Sequence, residues 1–404
     1  MATSLWGKVY YDGNYAGELR QEPGGRCIFS YDPTYLERQR PAIAFTLPLQ
    51  AAPHISEQGL HPFFDNLVAE GWLRNAQARA LKIDPSNRFA LLLAFGHDCA
   101  GAVSVIDPAP SEKLSIETGD AVTRAALASR ASLSGIQPKL LAVQDGKRFR
   151  PARGDEHSTY IAKRPSGTLL DIVENEYLTT LANAALLPDD DIAEVQIAEL
   201  EGLGDQRALL VKRFDRLPSG AKRHFEEFNQ LLGRRSGDDK YAAAYDDIAA
   251  FILRYGAKAD AWRLYRRILA CFLTGNTDAH LKNFAMFHTP EGLRLTPAYD
   301  LVAAALYPDF KTLALAIGSA ASLTLSDLKP KHLFALGEAF DLDEALIAGS
   351  VETLGTRRKA AENAVTAAAK KYDAVQLGNS LLELMDRRWN GSFASIGRFL
   401  SKKQ

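Results

Sequence analysis

The alternation of apolar and polar positions at the start of the chain predicts strands, and it changes to a helical period within the first hundred residues. Residues 5–20 alternate on both sides of an Asp-Gly-Asn turn signal, which predicts a β-hairpin, and residues 27–36 predict a further strand. Over residues 63–81 and 87–96 the apolar positions recur every three to four residues, as in helices. The pattern therefore predicts a small α+β unit at the start of the chain.

A second β-rich stretch follows residues 106–120, which are rich in proline, serine and charge and are typical of a linker. Residues 133–150 predict a hairpin that turns at Asp145-Gly146, and residues 158–165 predict a strand that ends before a proline. An amphipathic helix and another strand pair are predicted over residues 171–217. This stretch is thus the second β-rich part of the chain.

Helical patterns dominate from about residue 225 to the end. The helix predicted over residues 260–275 places four apolar side chains on one face, namely Leu264, Ile268, Leu269 and Phe272. The tail from Pro330 is helical throughout. The predicted domains are an N-terminal α+β subdomain over 1–106, a β-rich lobe over 107–224 and a helical lobe over 225–404. The predicted fold class is α+β, in the bilobal arrangement of kinases.

Composition excludes several other classes of protein. The 404 residues carry 48 basic and 49 acidic side chains, a net charge of −1, so contact with DNA is expected only through a partner. The cysteines Cys27, Cys99 and Cys271 form no CxxC, which favours buried thiols over a disulfide or a zinc site. The start of the chain has no signal-peptide pattern, and the longest apolar run, 89–106, is interrupted by His97-Asp98. A cytoplasmic protein without a membrane span is expected.

The segment Gly275–Met286, GNTDAHLKNFAM, carries the strongest chemical signal. Asp278 precedes Asn283 by five positions, and Asp300 follows a short segment later. In phosphoryl transfer an aspartate orients the acceptor hydroxyl, while an asparagine and a later aspartate hold Mg²⁺ against the phosphates. The His-Arg pair that ordinary eukaryotic-type kinases carry before the aspartate is absent. The alternative is that Asp278 caps the loop and Asn283 is a turn residue.

Charged residues near this segment and on a predicted strand are further candidates. His280 either donates to phosphate or ribose or is hydrogen-bonded to backbone, and Lys282 either contacts phosphate or is solvated. Lys163 is the strand lysine that would reach the α- and β-phosphates, with Glu174 or Glu176 as its partner. The sequence does not choose between the two glutamates.

Two more segments are candidates for contact with the nucleotide. Residues 132–140, SLSGIQPKL, offer the hydroxyls of Ser132 and Ser134 and the ammonium of Lys139, but with one glycine they match neither a Walker A nor a GxGxxG loop. Residues 212–216, KRFDR, end a strand where an inter-lobe hinge would present backbone groups to adenine. The alternative is a strand end in which Asp215 pairs with an arginine.

Together these segments resemble the HipA family of bacterial serine/threonine-kinase toxins. The resemblance spans nearly the whole chain, and its most specific motif is TDAHLKN. It rests on the following segments in the order of the family: FFDNLVAEG, HDCAGAVSV, SLSGIQPKL, YIAKRP, ENEYL, KRFDR, GNTDAHLKNFAM and TPAYDL. The resemblance implies a fold related to protein and phosphoinositide kinases, with an added N-terminal subdomain.

The resemblance also implies roles for individual residues. Asp278 would be the catalytic acid, Asn283 and Asp300 would bind Mg²⁺, and Ser132 would be autophosphorylated, with Ser134 as a second phosphosite. The nucleotide, ATP, would be contacted in the phosphate loop by Ser134, Gly135, Ile136, Gln137, Pro138 and Lys139, and its phosphates also by Lys163. The hinge to adenine would consist of Lys212, Arg213 and Phe214. The remaining contacts would come from His280, Lys282, Asn283, Tyr299 and Asp300.

Family members phosphorylate aminoacyl-tRNA synthetases, notably the glutamyl enzyme, and pair with a small helix-turn-helix antitoxin that binds operator DNA. The chain departs from the family at Ser134, where alanine is common before the glycine, and at Pro138, where an acidic residue is common. These departures bear on regulation more than on catalysis. Two other functions stay open from the sequence: a small-molecule kinase, and a pseudokinase that acts as antitoxin or corepressor.

Overall fold

The computed structural model describes residues 5–109, 119–129, 133, 137–154 and 156–396. The chain forms two compact units, each assembled from two stretches of sequence. The first unit comprises Met1–Arg164 and Ala198–Asp239, and the second comprises Pro165–Ile197 and Lys240–Gln404. The predicted domains are continuous stretches, whereas each of these units combines two separate stretches that pack together. The domain boundaries after residues 106 and 224 therefore stay a prediction.

An antiparallel sheet opens the first unit. Its strand order is β4-β3-β2-β1-β5, and its strands are β1 (Leu5–Tyr11), β2 (Asn14–Gln21), β3 (Cys27–Tyr31), β4 (His54–Ser56) and β5 (Val103–Ile106). The predicted first hairpin is confirmed. Asp12 and Gly13 both have positive φ, 43° and 75°, as a two-residue hairpin turn requires.

Four helices accompany this sheet, namely α1 (Pro33–Glu37), α2 (Pro62–Asn66), α3 (Gly71–Leu81) and α4 (Arg88–Phe95). Helix α4 packs against β1 and β5. The continuous helical period predicted over 63–81 is divided in the structure, because Gly71 has a φ of +55°, which a helix cannot continue through. Phe29, Phe63 and Phe64 form the centre of the apolar core between these elements.

A second sheet follows helix α5 (Ala121–Ala128). It begins with β6 (Lys139–Asp145), β7 (Arg148–Pro151) and β8 (Tyr160–Lys163), after which the chain enters helix α6 (Ile172–Leu186) of the second unit and returns through β9 (Val195–Glu199) and β10 (Arg207–Lys212). The order is β7-β6-β8-β10-β9, and the predicted turn at Asp145-Gly146 is confirmed. Strand β11 (Phe225–Glu227) and helix α7 (Phe228–Leu231), which packs against α2, complete the first unit.

Helices make up most of the second unit. They are α6, α8 (Tyr245–Tyr255), α9 (Lys258–Thr274), α10 (Pro330–Ala339), α11 (Glu344–Lys371) and α12 (Val375–Arg388), and α6 packs along α11. A short hairpin, β12 (Ala285–Thr289) with β13 (Gly292–Leu295), follows α9. The pattern of apolar and polar positions does not predict this hairpin. No helix among the described residues has the length and apolarity that a membrane crossing needs.

Helix α9 is buried on more than the one face predicted. Its four predicted apolar residues are fully buried, but Arg266 and Arg267 are buried as well. Arg266 donates to both carboxylate oxygens of Asp189, at 2.7 and 2.6 Å, and Arg267 donates to Asp190 at 2.6 Å. These pairs compensate the buried positive charges and fix the residues after α6 against the helix that leads to the predicted catalytic loop.

Candidate functional site

The loop that carries Asp278 begins at the end of α9. Gly275 has a φ of +81°, and its N–H donates to the carbonyl of Cys271, which ends the helix. A Cβ at this position would lie 2.3 Å from Leu384 Cδ2 of α12. Both the conformation and the packing therefore require glycine, and they place Asp278 three residues beyond the helix.

Backbone and side-chain hydrogen bonds hold this loop rigidly. The Thr277 hydroxyl donates to the Phe310 carbonyl over 2.8 Å, and the Tyr245 hydroxyl donates to the Ala279 carbonyl over 3.2 Å. The Ala314 N–H donates to the Thr277 carbonyl over 2.8 Å. Anchoring on both sides of Asp278 reduces the freedom of the backbone that presents its carboxylate.

Asn283 and Asp300, the two predicted Mg²⁺ ligands, lie side by side. The Asn283 amide Nδ2 donates to Asp300 Oδ2 over 2.9 Å, and its Oδ1 accepts from the His280 N–H over 2.9 Å. Asp300 has a φ of +57°, an uncommon conformation, and its carbonyl accepts from Asn276 Nδ2 over 3.3 Å. One amide oxygen and one carboxylate on adjoining, half-buried residues are a donor set that fits Mg²⁺.

The other candidates of the second unit surround this pair. The Tyr299 hydroxyl donates to the Lys282 carbonyl over 2.8 Å, so Tyr299 fixes the loop backbone. The Lys282 and His280 side chains are both buried, and the His280 ring meets the Tyr241 ring edge-on with centroids 5.2 Å apart. The structure therefore brings together Asp278, His280, Lys282, Asn283, Tyr299 and Asp300.

The Asp278 carboxyl titrates unusually high for an aspartate. The pKa of Asp278 is raised to about 6, mainly by burial and also by the nearby charge of Asp300, while the hydrogen bond from Tyr241 and the charge of Lys240 act in the opposite direction. The Tyr241 hydroxyl lies 3.1 Å from Asp278 Oδ1. A carboxylate that is largely buried, still reachable from solvent and has a pKa near neutrality suits a group that receives a proton.

Two of the predicted phosphate ligands lie together in the first unit. Lys139 of β6 and Lys163 of β8 are directly opposite each other in an antiparallel pair, so their side chains share one face of the sheet. Both lysines are buried. Lysine ammonium groups are common ligands of phosphate oxygens in proteins. Their pairing therefore favours a phosphate-binding surface.

The predicted phosphate loop is described only in part. Gln137 Nε2 donates to the Arg164 carbonyl over 2.8 Å, and the Arg164 N–H donates to the Pro138 carbonyl over 2.7 Å. These bonds attach the end of the loop to the end of β8. The positions predicted for Ser132, Ser134, Gly135 and Ile136 lie outside the described residues.

In the predicted hinge, Lys212 to Phe214, the Arg213 side chain is engaged in an ion pair within the protein. Lys212 is exposed and Phe214 half-buried, whereas the Arg213 guanidinium is buried and donates to both oxygens of Asp215, at 3.0 and 2.9 Å. The pairing of Asp215 with an arginine, left open by the sequence, is therefore present. A contact of residues 212–214 with adenine would fall to their backbone, and it stays a prediction.

A buried ionic network extends from this strand end to the first sheet. Asp98, which follows α4, accepts from Arg213 Nη1 over 3.2 Å, from Arg216 and from the Ser158 hydroxyl over 2.7 Å. Burial would raise the pKa of Asp98, but the adjacent guanidinium groups hold it well below its usual range. The residues of HDCAGAVSV and KRFDR thus bind each other in the first unit.

Sequence reasoning missed Tyr241, whose hydroxyl contacts Asp278, and Asn276, whose amide contacts the Asp300 carbonyl. Asn276 lies in the segment GNTDAHLKNFAM, two positions before Asp278, so its position was a usable signal. Tyr241 lies 37 positions before Asp278, and no spacing rule points to it. Glu174 is half-buried and Glu176 buried on α6, and the choice between them as a partner of Lys163 stays a prediction.

Comparison with known proteins agrees with the motifs. Residues 7–106 match the family model of the HipA N-terminal domain, and residues 131–375 match that of the HipA-like C-terminal domain. A putative kinase, Y4dM, of Sinorhizobium fredii is 31% identical over 92% of this chain and 96% of its own length. The serine/threonine-protein kinase toxin HipA of Shewanella oneidensis is 30% identical over 67% of this chain and 69% of its own length.

The fold is similar to that of a solved structure from Shewanella oneidensis MR-1, which contains HipA, HipB and their operator DNA. The two chains superpose with a TM-score of 0.75 over 96% of this chain and 99% of that one, at 23% identity. This likeness establishes a shared mixed helix-and-sheet fold. Since family models match most of the chain and a relative is 31% identical along nearly all of it, the chain belongs to the HipA family.

Proposed function

We propose that this protein is a serine/threonine-protein kinase that uses ATP with Mg²⁺ and acts as the toxin of a HipA/HipB-like toxin–antitoxin module. The observation that carries the proposal is the arrangement of three side chains at one anchored loop. Asp278, with its raised pKa, lies on the same loop as Asn283, and Asn283 is hydrogen-bonded to Asp300, which follows the β12–β13 hairpin. The names of the relatives, a putative kinase and a serine/threonine-protein kinase toxin, support the same chemistry.

Each residue of the loop has a distinct part in this reaction. Asp278 orients the acceptor hydroxyl and takes its proton as the oxygen attacks the terminal phosphorus. Asn283 and Asp300 would hold Mg²⁺, which neutralises phosphate charge when it is bound. Lys139 and Lys163 present two positive charges to the phosphates from facing strands. The loop hydrogen bonds keep these groups oriented before the substrate arrives.

The protein substrate that we propose is an aminoacyl-tRNA synthetase, with the glutamyl enzyme favoured. Its phosphorylation would stop tRNA charging and so inhibit translation and growth. The support is membership of the HipA family and the kinase-toxin name of the Shewanella relative. A radiolabelled-phosphate transfer assay against a panel of purified synthetases would identify the substrate.

Regulation would come from two further events. Autophosphorylation of Ser132, with Ser134 as a second site, would add about −1.5 to −2 charges to the loop that must hold the ATP phosphates, and like-charge repulsion would displace that loop. A HipB-like helix-turn-helix antitoxin would bind the protein and bring it to operator DNA indirectly. The Shewanella structure, in which HipA occurs with HipB and operator DNA, supports this partner.

The proposal is tested by incubating purified protein with Mg²⁺ and γ-labelled ATP, beside an Asp278→Ala control, with detection by intact and peptide mass spectrometry. Phosphate on Ser132 or Ser134 in the wild type alone would establish the kinase reaction and locate the switch. No incorporation by wild-type protein that is confirmed to start unphosphorylated, on itself or on any synthetase, would contradict the proposal. A small-molecule kinase or a pseudokinase would then be the better description.

A further inference from the structure

Tyr241 contacts the proposed catalytic aspartate from outside the catalytic loop. Its hydroxyl lies 3.1 Å from Asp278 Oδ1, and its ring packs edge-on against the His280 ring at 75°. The ammonium of Lys240 lies 5.1 Å from the centre of the same ring. Tyr241 remains 38% exposed, so burial of an apolar ring does not account for its position.

The Asp278 carboxylate has few other restraints. In the part of the chain that the structure describes, the Tyr241 hydroxyl provides the hydrogen bond to this side chain. The charged groups that act on it are Asp300 and Lys240. Rotation of a carboxylate about its last side-chain bond is soft, so one directed hydrogen bond decides where its two oxygens point.

We propose that Tyr241 is a positioning residue that holds one oxygen of Asp278 and directs the other oxygen to the acceptor hydroxyl. This inference rests on the proposed kinase function. In the reaction the acceptor oxygen bonds to the terminal phosphorus, the bond to the ADP oxygen breaks, and the acceptor proton passes to Asp278. Tyr241 keeps its own proton throughout, so it acts through Asp278 and not on the phosphate.

The test uses Tyr241→Phe, which keeps the ring and removes the hydroxyl, with Tyr255→Phe as the matched control. Tyr255 is 40% exposed and has the Arg254 guanidinium 5.1 Å from its ring, so it repeats the environment of Tyr241 away from the loop. Three quantities are measured on the full chain: the pKa of Asp278 by carboxyl NMR, assigned with Asp278→Asn, and kcat and KM for ATP and acceptor.

For Tyr241→Phe we expect the Asp278 pKa to rise by about one unit, because the hydrogen bond favours the ionised form. We expect kcat to fall about tenfold, with both KM values within about twofold of wild type, as for loss of an interaction made in the transition state. Tyr255→Phe should leave all three quantities unchanged. This combination, a changed Asp278 pKa and a lower kcat with unchanged KM values, is not expected if Tyr241 serves only the stability of the fold.

Three results would overturn the inference. An unchanged Asp278 pKa would show that Tyr241 does not hold this carboxylate, whether or not the protein is a kinase. An unchanged kcat would remove the catalytic part of the role. A higher kcat would show that Tyr241 occupies the position of the acceptor hydroxyl and must leave it. If wild-type protein transfers no phosphate, the proposed function fails separately, while the pKa still decides the Tyr241 contact.

Discussion

Asp98 of the first unit and Asp278 of the second are both largely buried aspartates, yet their surroundings shift their pKa values in opposite directions. Asp98 lies between Arg213 and Arg216 and accepts a further hydrogen bond from Ser158, so its charged form is stabilised. Asp278 has one hydrogen bond from an exposed tyrosine, and burial raises its pKa to about 6. Both carboxylates are therefore buried, but only the negative charge of Asp98 is compensated by adjacent positive charges.

This difference separates a structural acid from a reactive one. The network around Asp98 satisfies each buried charge with an opposite charge, and so it joins the end of β10 to the first sheet at a fixed distance. The loop around Asp278 has rigid backbone but leaves its carboxylate partly uncompensated, which costs stability and keeps the group able to accept a proton. The conformation of Asp300 adds local strain at the same site.

The largest expected effect is the loss of activity in Asp278→Asn. Because the amide cannot accept the acceptor proton, phosphoryl transfer should fall by roughly 10²–10⁴-fold. The measurement is the rate of phosphate incorporation at saturating ATP, with Tyr255→Phe as the control. A residual rate above a tenth of wild type would assign proton removal to another group.

The second effect concerns stability and falls on the other aspartate. Asp98→Asn should lower the free energy of unfolding by about 3–5 kcal/mol at pH 7, because it leaves two buried guanidinium groups without their full complement of charge. The pKa of Asp98 is depressed in the folded protein, so the difference from wild type should shrink as the pH falls below about 4. Urea unfolding at several pH values measures both. If Asp98→Asn and the wild-type protein were equally stable at pH 7, Asp98 would have no structural role.

Asp278→Asn is expected to raise the free energy of unfolding, by less than Asp98→Asn lowers it. At pH 7 the carboxyl is ionised in both states, and its raised folded pKa means that the ionised form destabilises the fold. Since the shift from 3.8 to about 6 corresponds to about 3 kcal/mol, and the hydrogen bond from Tyr241 is weakened, we expect a net gain of about 1–2 kcal/mol. This gain should vanish below about pH 4, where the wild-type carboxyl is protonated in both states. Thermal melts at pH 7 and pH 4 distinguish gain from loss.

The smallest effect is a shift along the pH axis. If Asp278 must be ionised, the rate of the wild-type enzyme should rise with pH through a midpoint near 6, the pKa of that carboxyl in the folded protein. In Asp98→Asn the midpoint should stay in place, because Asp98 is not among the charged groups that act on Asp278. A midpoint near 4 in the wild type would contradict the effect of burial on Asp278.

Local spacing predicted the parts of the site that are close together in sequence. Asp278 and Asn283 are five positions apart on one loop, and one of the hydrogen bonds that shape it, from His280 N–H to Asn283 Oδ1, spans only three residues. The hairpin at Asp145-Gly146 was predictable for the same reason, because a turn depends on its own residues. The β12–β13 hairpin was not predicted, since its two short strands directly follow the catalytic loop and show little alternation of their own.

What the sequence determined by itself was the family, the residues that share the loop from Gly275 to Met286 and most of the secondary structure, because these depend on residue types at short spacing. The tertiary structure alone decided that Arg213 serves a buried network with Asp98, 115 positions away, and that Tyr241 binds Asp278. It also decided which of two buried aspartates keeps an uncompensated charge. The physical reason is that compensation depends on which groups fold against a carboxylate, and long-range packing, not local spacing, selects those groups.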